Sequence, residues 1–299
     1  MDGMNSECNE EERPATASAA LNWAVAELRG AEVDSPRLVA EVLLAHILGW
    51  ERTRLLGHLH DRLACVDWER FQALVRRCAS GEPLQYLTGE REFYGLPFRV
   101  MPGVLIPRPE TEILVEKALD LARACEGGVR FVDVGTGSGC IAISVGHEIP
   151  HATGWATDIS REALAVAREN ANRLGVGARI GFACCDLLEC FPARPLFGLI
   201  LSNPPYIPGS EMEELPRLVR EYEPHQALFG GESGLEVYRR LIPQAAARLL
   251  PEGRLLLEVG AGQAGEVVEL VKREGLAPDQ IVEDLQRISR CIVAGRMRV

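Results

Sequence analysis

Residues 131–143 read FVDVGTGSGCIAI: an apolar strand that stops at Val134, a turn with glycine at positions 135, 137 and 139, and the start of an apolar helix. Glycines in such a turn let the backbone bend tightly and approach a ligand, while the first turn of the next helix offers N–H groups with no intrahelical partner. The loop Gly135, Thr136, Gly137, Ser138, Gly139 is therefore predicted to hold a nucleotide-like group, with a plain strand-to-helix connection as the alternative. A downstream acid favours the first reading. The next strand-like segment, TGWATD at 153–158, ends in Asp158, where a carboxylate can accept hydrogen bonds from both hydroxyls of a ribose. A dinucleotide fingerprint has the form G-x-G-x-x-G, whereas Cys140 follows Gly139 and the pattern here is G-x-G-x-G. The spacing favours an enzyme that uses a methyl donor, and a nicotinamide enzyme remains the weaker alternative.

Helix-period and strand-like segments alternate from about Pro109: ETEILVEKALDLARA, RFVDV, IAISVGHEI, TGWATD, REALAVARENANRLG, RIGFACCD and FGLILSN. Strands that alternate with helices imply a parallel sheet with crossover helices. A helix ending near Leu250, the strand RLLLEVG, another helix and the segments QIVED and RCIVAGR complete the count. The expected fold class is α/β, a seven-stranded, mostly parallel, Rossmann-like sheet. Upstream, Leu21, Val25 and Leu28, then Leu38, Val42, Ala45 and Leu48, recur at helical spacing, with Ser35-Pro36, Asp67 and Gly81 as end signals. Between the two textures lie β-prone stretches, Glu92–Tyr94 and Pro97–Val100, around Gly95-Leu96. The expected organisation is an acidic disordered tail at 1–14, a small all-α bundle at 15–89, a β-hairpin linker at 90–108 and the sheet domain at 109–299.

The fourth strand runs directly into Asn203-Pro204-Pro205-Tyr206. Two prolines fix two φ angles and remove two N–H donors, so the carbonyls of Asn203 and Pro204 can point outward without local competition. The loop is rigid, rich in acceptors and placed at the carboxyl end of a parallel strand, where open α/β sheets bind ligands. Acceptors from the Asn203 side chain and the Pro204 carbonyl could hold a planar NH₂ group with its lone-pair direction facing a methyl donor. They would also stabilise positive charge developing on that nitrogen, and Tyr206 could stack on a flat group. Asp186 ends the third strand-like segment, either as a solvated turn residue or as a contact to an adenine amino group.

The chain of 299 residues carries Lys+Arg 32 against Asp+Glu 43, a net charge of −11, which argues against holding bare nucleic acid by charge neutralisation. Nine cysteines without a C-x-x-C pair read as reduced thiols of a cytoplasmic protein, and no apolar run approaches the roughly 20 residues of a membrane span. His147-Glu148-Ile149-Pro150-His151 matches H-E-x-x-H only formally, because Pro150 breaks the helix a zinc site needs. Cys184, Cys185 and Cys190 follow no common metal spacing, so no metal is expected.

The set VLIPRPETE, DVGTGSGCIAI, SNPPYIP and EPHQALFGGESGLEVYRRLI resembles the release factor glutamine methyltransferase family, and the likeness runs from Glu82 to Arg296. The resemblance implies S-adenosyl-L-methionine as donor and S-adenosyl-L-homocysteine as product. Gly135–Gly139 would hold the donor, with Asp158 at the ribose, Asp186 and Leu187 near the adenine, and Asn203 facing both ligands. The acceptor it implies is the side-chain nitrogen, N5, of glutamine in the Gly-Gly-Gln loop of peptide chain release factors, with consequences for translation termination. Catalysis would fall to Asn203, Pro204 and Tyr206, with Pro205 also against the substrate. The Arg108-Pro109-Glu110-Thr111-Glu112 turn would shape the cofactor entrance, and the helical domain would hold the protein substrate, with no direct nucleic-acid or membrane partner. A ribosomal-protein glutamine methyltransferase and an adenine N6 DNA methyltransferase share the same amide or amine chemistry and stay open as alternatives.

Overall fold

The computed structural model describes residues 16–125 and 128–297; the acidic tail expected at 1–14 lies outside them. The chain divides into two compact units, one up to Gly89 and one from Glu90. The first holds α1 (Ala17–Gly30), α2 (Pro36–Leu48), α3 (Arg52–Gly57), α4 (Cys65–Ala79) and α5 (Leu84–Thr88). Its core gathers Leu21, Leu28, Leu43, Leu44, Phe71 and Val75, edged by Trp23 and Trp68 with ring centroids 4.8 Å apart. The buried residues of α2 are Val39, Ala40, Glu41, Leu43, Leu44 and Ala45, so of the four residues picked out by their spacing Ala45 is buried while Leu38 is 44% exposed. That helix is apolar over most of its circumference, so periodicity alone does not fix its inward face. Ser35 precedes α2 with a left-handed backbone and no side-chain cap, and Asp67 lies in the first turn of α4 rather than at its cap.

The second unit opens with a hairpin, β1 (Glu90–Phe93) and β2 (Leu96–Arg99). Its turn falls on Tyr94-Gly95, one residue before the expected position, with φ of +51° and +70°. Two left-handed central residues make the tight turn whose twist matches the flanking strands, and Phe93 then pairs with Leu96. The hairpin, expected as a linker, contributes Phe93 and Phe98 to this unit's core.

There follow α6 (Glu112–Arg123), β3 (Arg130–Val134), α7 (Cys140–Glu148), β4 (Thr153–Asp158), α8 (Arg161–Arg173), β5 (Ile180–Cys184) and β6 (Phe197–Ser202). Then come α9 (Arg217–Tyr222), α10 (His225–Leu228), α11 (Glu236–Arg248), β7 (Leu249–Glu258), α12 (Ala264–Arg273), β8 (Leu276–Glu283) and β9 (Ser289–Arg296). The seven-stranded sheet has the order β5-β4-β3-β6-β7-β9-β8, and only β9 runs against its neighbours. Helix α11 ends at Arg248 and β7 starts on the next residue, earlier than the expected end near Leu250. Alternate residues feed opposite faces: Phe131 packs with α6 and α7, Val132 and Val134 with α11 and α12.

The strand order reverses between β3 and β6, the place where open α/β sheets leave a crevice at their carboxyl edge. Val134 pairs with Ser202, so Gly135 and Asn203 leave the sheet side by side, and the Ser202 hydroxyl donates to the Val134 carbonyl at 2.7 Å.

The buried Asn170 of α8 joins two separate segments. Its Nδ2 donates to the Ser138 carbonyl at 2.9 Å and the Arg99 carbonyl at 3.0 Å, and its Oδ1 accepts the Arg99 N–H at 2.8 Å. Replacing Asn170 by Ala leaves these backbone groups of the hairpin and the glycine loop without their partner. The expected cost is about 3 kcal/mol, read as a lower urea midpoint with an unchanged denaturant slope.

Candidate active site

The glycine loop has no room for ordinary side chains on one flank and open space on the other. Gly135 and Gly137 have φ of +73° and +57°, and a Cβ on either would meet no atom within 4 Å. Gly139, at φ +85°, is different: its Cβ would fall 2.7 Å from Ile143 Cδ1, so the helix start needs glycine for packing. The N–H groups of Gly135 and Thr136 both donate to the Thr157 carbonyl at 2.9 Å, which ties the loop to the end of β4. Immediately beyond, Asp158 Oδ2 accepts the Gly137 N–H and Oδ1 accepts the Ser160 N–H, each at 2.9 Å. Burial raises the Asp158 pKa above the ordinary carboxylate value, and these backbone donors oppose the rise.

A cavity of about 340 Å³ opens above this loop, within the range of small-molecule sites. Its walls include Gly135, Thr136, Gly137 and Ser138 from the loop, Asp158, Asp186 and Leu187 from the neighbouring strand ends, and Asn203 and Pro205 from the proline loop. Gly139, Pro204 and Tyr206 are not part of the wall. Strand β5 ends at Cys184, so Asp186 lies in the loop after it, where it pairs with Arg240 of α11. Leu187 adopts φ +51° and its carbonyl accepts the Thr157 hydroxyl at 3.0 Å. Open space beside Gly135 and Gly137 and a carboxylate at the end of β4 fit a nucleoside-bearing ligand.

The proline loop is held from behind. Gln263 Nε2 donates to the Tyr206 carbonyl at 2.8 Å, while the Ile207 N–H donates to the Leu228 carbonyl at 3.0 Å. Gly230 lies so close beneath that a Cβ would come 2.7 Å from Tyr206 Cα. The Tyr206 ring packs against the core on the α11 and α12 side, and burial, then the nearby Glu258 carboxylate, push its phenol up to about 12. Asn203 Nδ2 donates to the Thr111 hydroxyl oxygen at 3.0 Å. Of the turn at 108–112, Arg108 lines the cavity and pairs at 2.6 Å with the buried Glu223, whereas Glu112 accepts the Tyr94 N–H of the hairpin at 2.9 Å.

The sequence reading passed over Asp133, which is fully buried beneath the glycine loop. Its Oδ2 accepts the Thr136 hydroxyl at 2.6 Å and the Ala142 N–H at 3.2 Å, and its Oδ1 has no partner. The available signal was a lone acid inside the apolar strand RFVDV. His147 lies in the last turn of α7 and His151 beyond it, both exposed, as Pro150 implied. Among the described residues no group of three or more His, Cys, Asp or Glu could hold a metal ion, and no helix is long and apolar enough to cross a membrane. Among the described residues Cys78, Cys125, Cys140, Cys184, Cys185, Cys190 and Cys291 are free thiols.

A Rossmann-like sheet that opens its switch-point crevice between a G-x-G-x-G loop and an Asn-Pro-Pro-Tyr turn defines a methyltransferase. Residues 110–221 match the family described as Methyltransferase small domain, and residues 19–89 match the PrmC N-terminal domain. The release factor glutamine methyltransferase of Moorella thermoacetica is 44% identical over 94% of this chain and 99% of its own length. Its counterpart in Bradyrhizobium diazoefficiens is 42% identical over 91% of this chain and 92% of its own. The chain belongs to the release factor glutamine methyltransferase family. A methyltransferase from Pyrococcus furiosus, 18% identical, shares the fold with a TM-score of 0.52, covering 73% of this chain and 95% of that one.

Burial pushes Asp133 up to about 7, against the opposing hydrogen bonds from Thr136 and Ala142. An unfolded aspartate titrates near 3.9. The folded state therefore holds the extra proton between these values, and stability falls as pH rises through that window. Asp133→Asn removes this contribution. Between pH 5 and pH 8 the urea midpoint should fall less in the variant than in the parent, by on the order of 2 kcal/mol when converted to stability; equal slopes would refute the assignment.

Proposed function

We propose that this enzyme transfers a methyl group from S-adenosyl-L-methionine to the N5 side-chain nitrogen of the glutamine in the Gly-Gly-Gln loop of a peptide chain release factor, and so tunes translation termination. The observation that carries the reading is the placement of Asn203 and the Gly135–Ser138 loop in one wall of one cavity, on neighbouring strand ends. The relatives from Moorella thermoacetica and Bradyrhizobium diazoefficiens bear release factor glutamine methyltransferase names at more than 40% identity over nearly their whole length, which supports the substrate class.

Gly135, Thr136, Gly137 and Ser138 cradle the donor, Asp158 accepts from its ribose hydroxyls, and Asp186 and Leu187 border its base. Bound there, S-adenosyl-L-methionine supplies an electrophilic methyl on a sulfonium centre. An amide nitrogen is a poor nucleophile because its lone pair is delocalised into the carbonyl. Asn203 Oδ1 and the Pro204 carbonyl accept one hydrogen bond each from the glutamine NH₂, orient the nitrogen toward the methyl and stabilise the charge that grows on it. The nitrogen–carbon bond forms as the sulfur–carbon bond breaks, and the acidified nitrogen then releases its proton to water. No strong base is needed before attack. Pro205 borders the amide plane from the cavity wall, and Tyr206, packed against the core, keeps the loop rigid. The helical unit up to Gly89 serves to hold a protein substrate, a need that a small-molecule enzyme lacks. The enzyme works as a soluble cytoplasmic protein without a metal.

The test offers labelled S-adenosyl-L-methionine with three acceptors in parallel: purified release factor, the same factor with its loop glutamine replaced, and duplex DNA. Label on the first alone is expected. Label on DNA would transfer the Asn203–Tyr206 chemistry to a flipped adenine, and label on neither would send the search to ribosomal protein. Asn203→Ala should lower kcat by about 100-fold or more, the scale of losing a preorganised acceptor in a dry site, with little change in donor affinity by calorimetry.

A further inference from the structure

We propose that Thr111 and Glu258 are positioning residues that decide which end of the Asn203 side-chain amide faces the acceptor. The proposal rests on the role of Asn203 stated above. An asparagine amide presents an oxygen at one end and an NH₂ at the other, and the two fit the same space. Only one orientation serves an incoming NH₂, the one that offers it Oδ1. Something must therefore hold the amide against a half-turn.

Thr111 lies 2% exposed in a short 3₁₀ turn, Pro109–Thr111, at the entrance to α6, and Glu258 lies 2% exposed at the end of β7. A hydroxyl has one proton to give and two lone pairs to offer. The Thr111 proton is assigned to the Glu258 carboxyl group, whose pKa the nearby hydroxyl lowers by hydrogen bonding. The Thr111 oxygen is left as an acceptor, and Asn203 meets it with Nδ2 at 3.0 Å. Oδ1 is thereby turned away from Thr111 and kept for the substrate. Glu258 sets the direction of the first hydrogen bond, Thr111 passes it on, and Asn203 displays the result.

The cost of keeping this carboxyl group argues for a role beyond packing. Its Oε2 has no hydrogen-bond partner, and burial pushes its pKa up to about 7 against the Thr111 hydrogen bond. The guanidinium groups closest in charge are committed elsewhere, Arg108 to Glu223 at 2.6 Å and Arg290 to Asp284 at 2.8 Å. A buried acid with so little compensation is a poor choice for stability alone, since an apolar residue of similar volume packs without that penalty.

The test measures kcat and both KM values, for S-adenosyl-L-methionine and for release factor, in Thr111→Val, Thr111→Ser, Glu258→Gln and Asn203→Ala. Thr111→Val keeps the shape and loses the hydroxyl, so kcat should fall about 10- to 100-fold while both KM values stay within about threefold, the signature of an interaction used in the transition state. Thr111→Ser restores the hydroxyl and should recover kcat to within about threefold of the parent. Glu258→Gln can donate to the Thr111 oxygen, which frees the Thr111 proton to capture Asn203 Oδ1 and turn the amide; kcat should fall at least about 10-fold. The inference is overturned by Thr111→Val at the parental rate, by serine as slow as valine, or by Glu258→Gln at full rate. Should valine prevent folding, the serine and Glu258→Gln rates decide alone. Parental kcat in Asn203→Ala would instead remove the catalytic reading of Asn203, whereas a slow Asn203→Ala beside a fast Thr111→Val would leave that reading and remove only the positioning role.

Discussion

The chain leaves the sheet at Val134, and from there every backbone polar group that the sheet no longer pairs must find a partner or face the ligand. Gly135 and Thr136 give their N–H groups to the Thr157 carbonyl, Val134 receives the Ser202 hydroxyl, and the Ser138 carbonyl receives Asn170 Nδ2. The glycine loop is thus fastened to β4, β6 and α8 together. Buried backbone groups are almost always paired, and here the pairing also sets the cavity floor. Because the fastening points lie on three elements, the loop holds its left-handed glycines in place before any ligand arrives. A preorganised floor avoids part of the ordering cost that binding would otherwise carry.

Two buried acids share the face of the sheet that α6 and α7 cover. Asp133 reaches up beneath the glycine loop and joins it to the first turn of α7, whose N-terminal N–H groups favour a negative partner. Glu258 stands under the proline loop through Thr111. Each carries one oxygen without a partner and each has its pKa pushed up to about 7 by burial. Placed at the ends of β3 and β7, they flank the strand β6 that delivers Asn203. The sheet therefore concentrates its expensive polar burial at the edge where two loops must be aimed, and keeps the rest of that face apolar.

Much of this was legible in the sequence because glycine and proline act locally. The turn at 135–139, the loop at 203–206 and the alternation of strands and helices follow from residues next to one another, and the strand count of seven was correct. The turn of the hairpin was misplaced by one residue because Tyr94 adopts a left-handed backbone that its side chain does not advertise. The inward face of α2 was not fixed by its pattern, because apolar residues surround most of the helix. Asn170 and Gln263 were invisible for a different reason, and Thr111 was seen only as part of the turn at the cofactor entrance: their partners are Arg99 and Ser138, Tyr206, and Asn203, far away in the chain. Polar residues that pair over such distances look like ordinary helix or turn residues. Asp133 and Glu258 did leave a trace, since each is a lone acid in an apolar strand, in RFVDV and LLLEVG.

The proline loop shows why rigidity and long-range support have to come together. Pro204 and Pro205 remove backbone donors, which clears the carbonyls of Asn203 and Pro204 for a ligand but also denies the loop the hydrogen bonds that would fix it. The missing constraint is supplied from outside. Gln263 holds the Tyr206 carbonyl, Leu228 and Gly230 bond the two sides of Ile207, and Gly230 allows the backbone beneath Tyr206 to approach closely. Asn203, the one side chain of the loop that must keep a chosen orientation, is bonded to Thr111 instead of to the loop itself. A loop stripped of internal donors can be an acceptor surface only if its neighbours carry its stability. The segment at 223–230 and the turn at 108–111 do this, joined by the Arg108–Glu223 pair, and both also line the cavity beside Asn203, so the parts of the chain that carry the loop's stability are the ones that complete the wall around its acceptors.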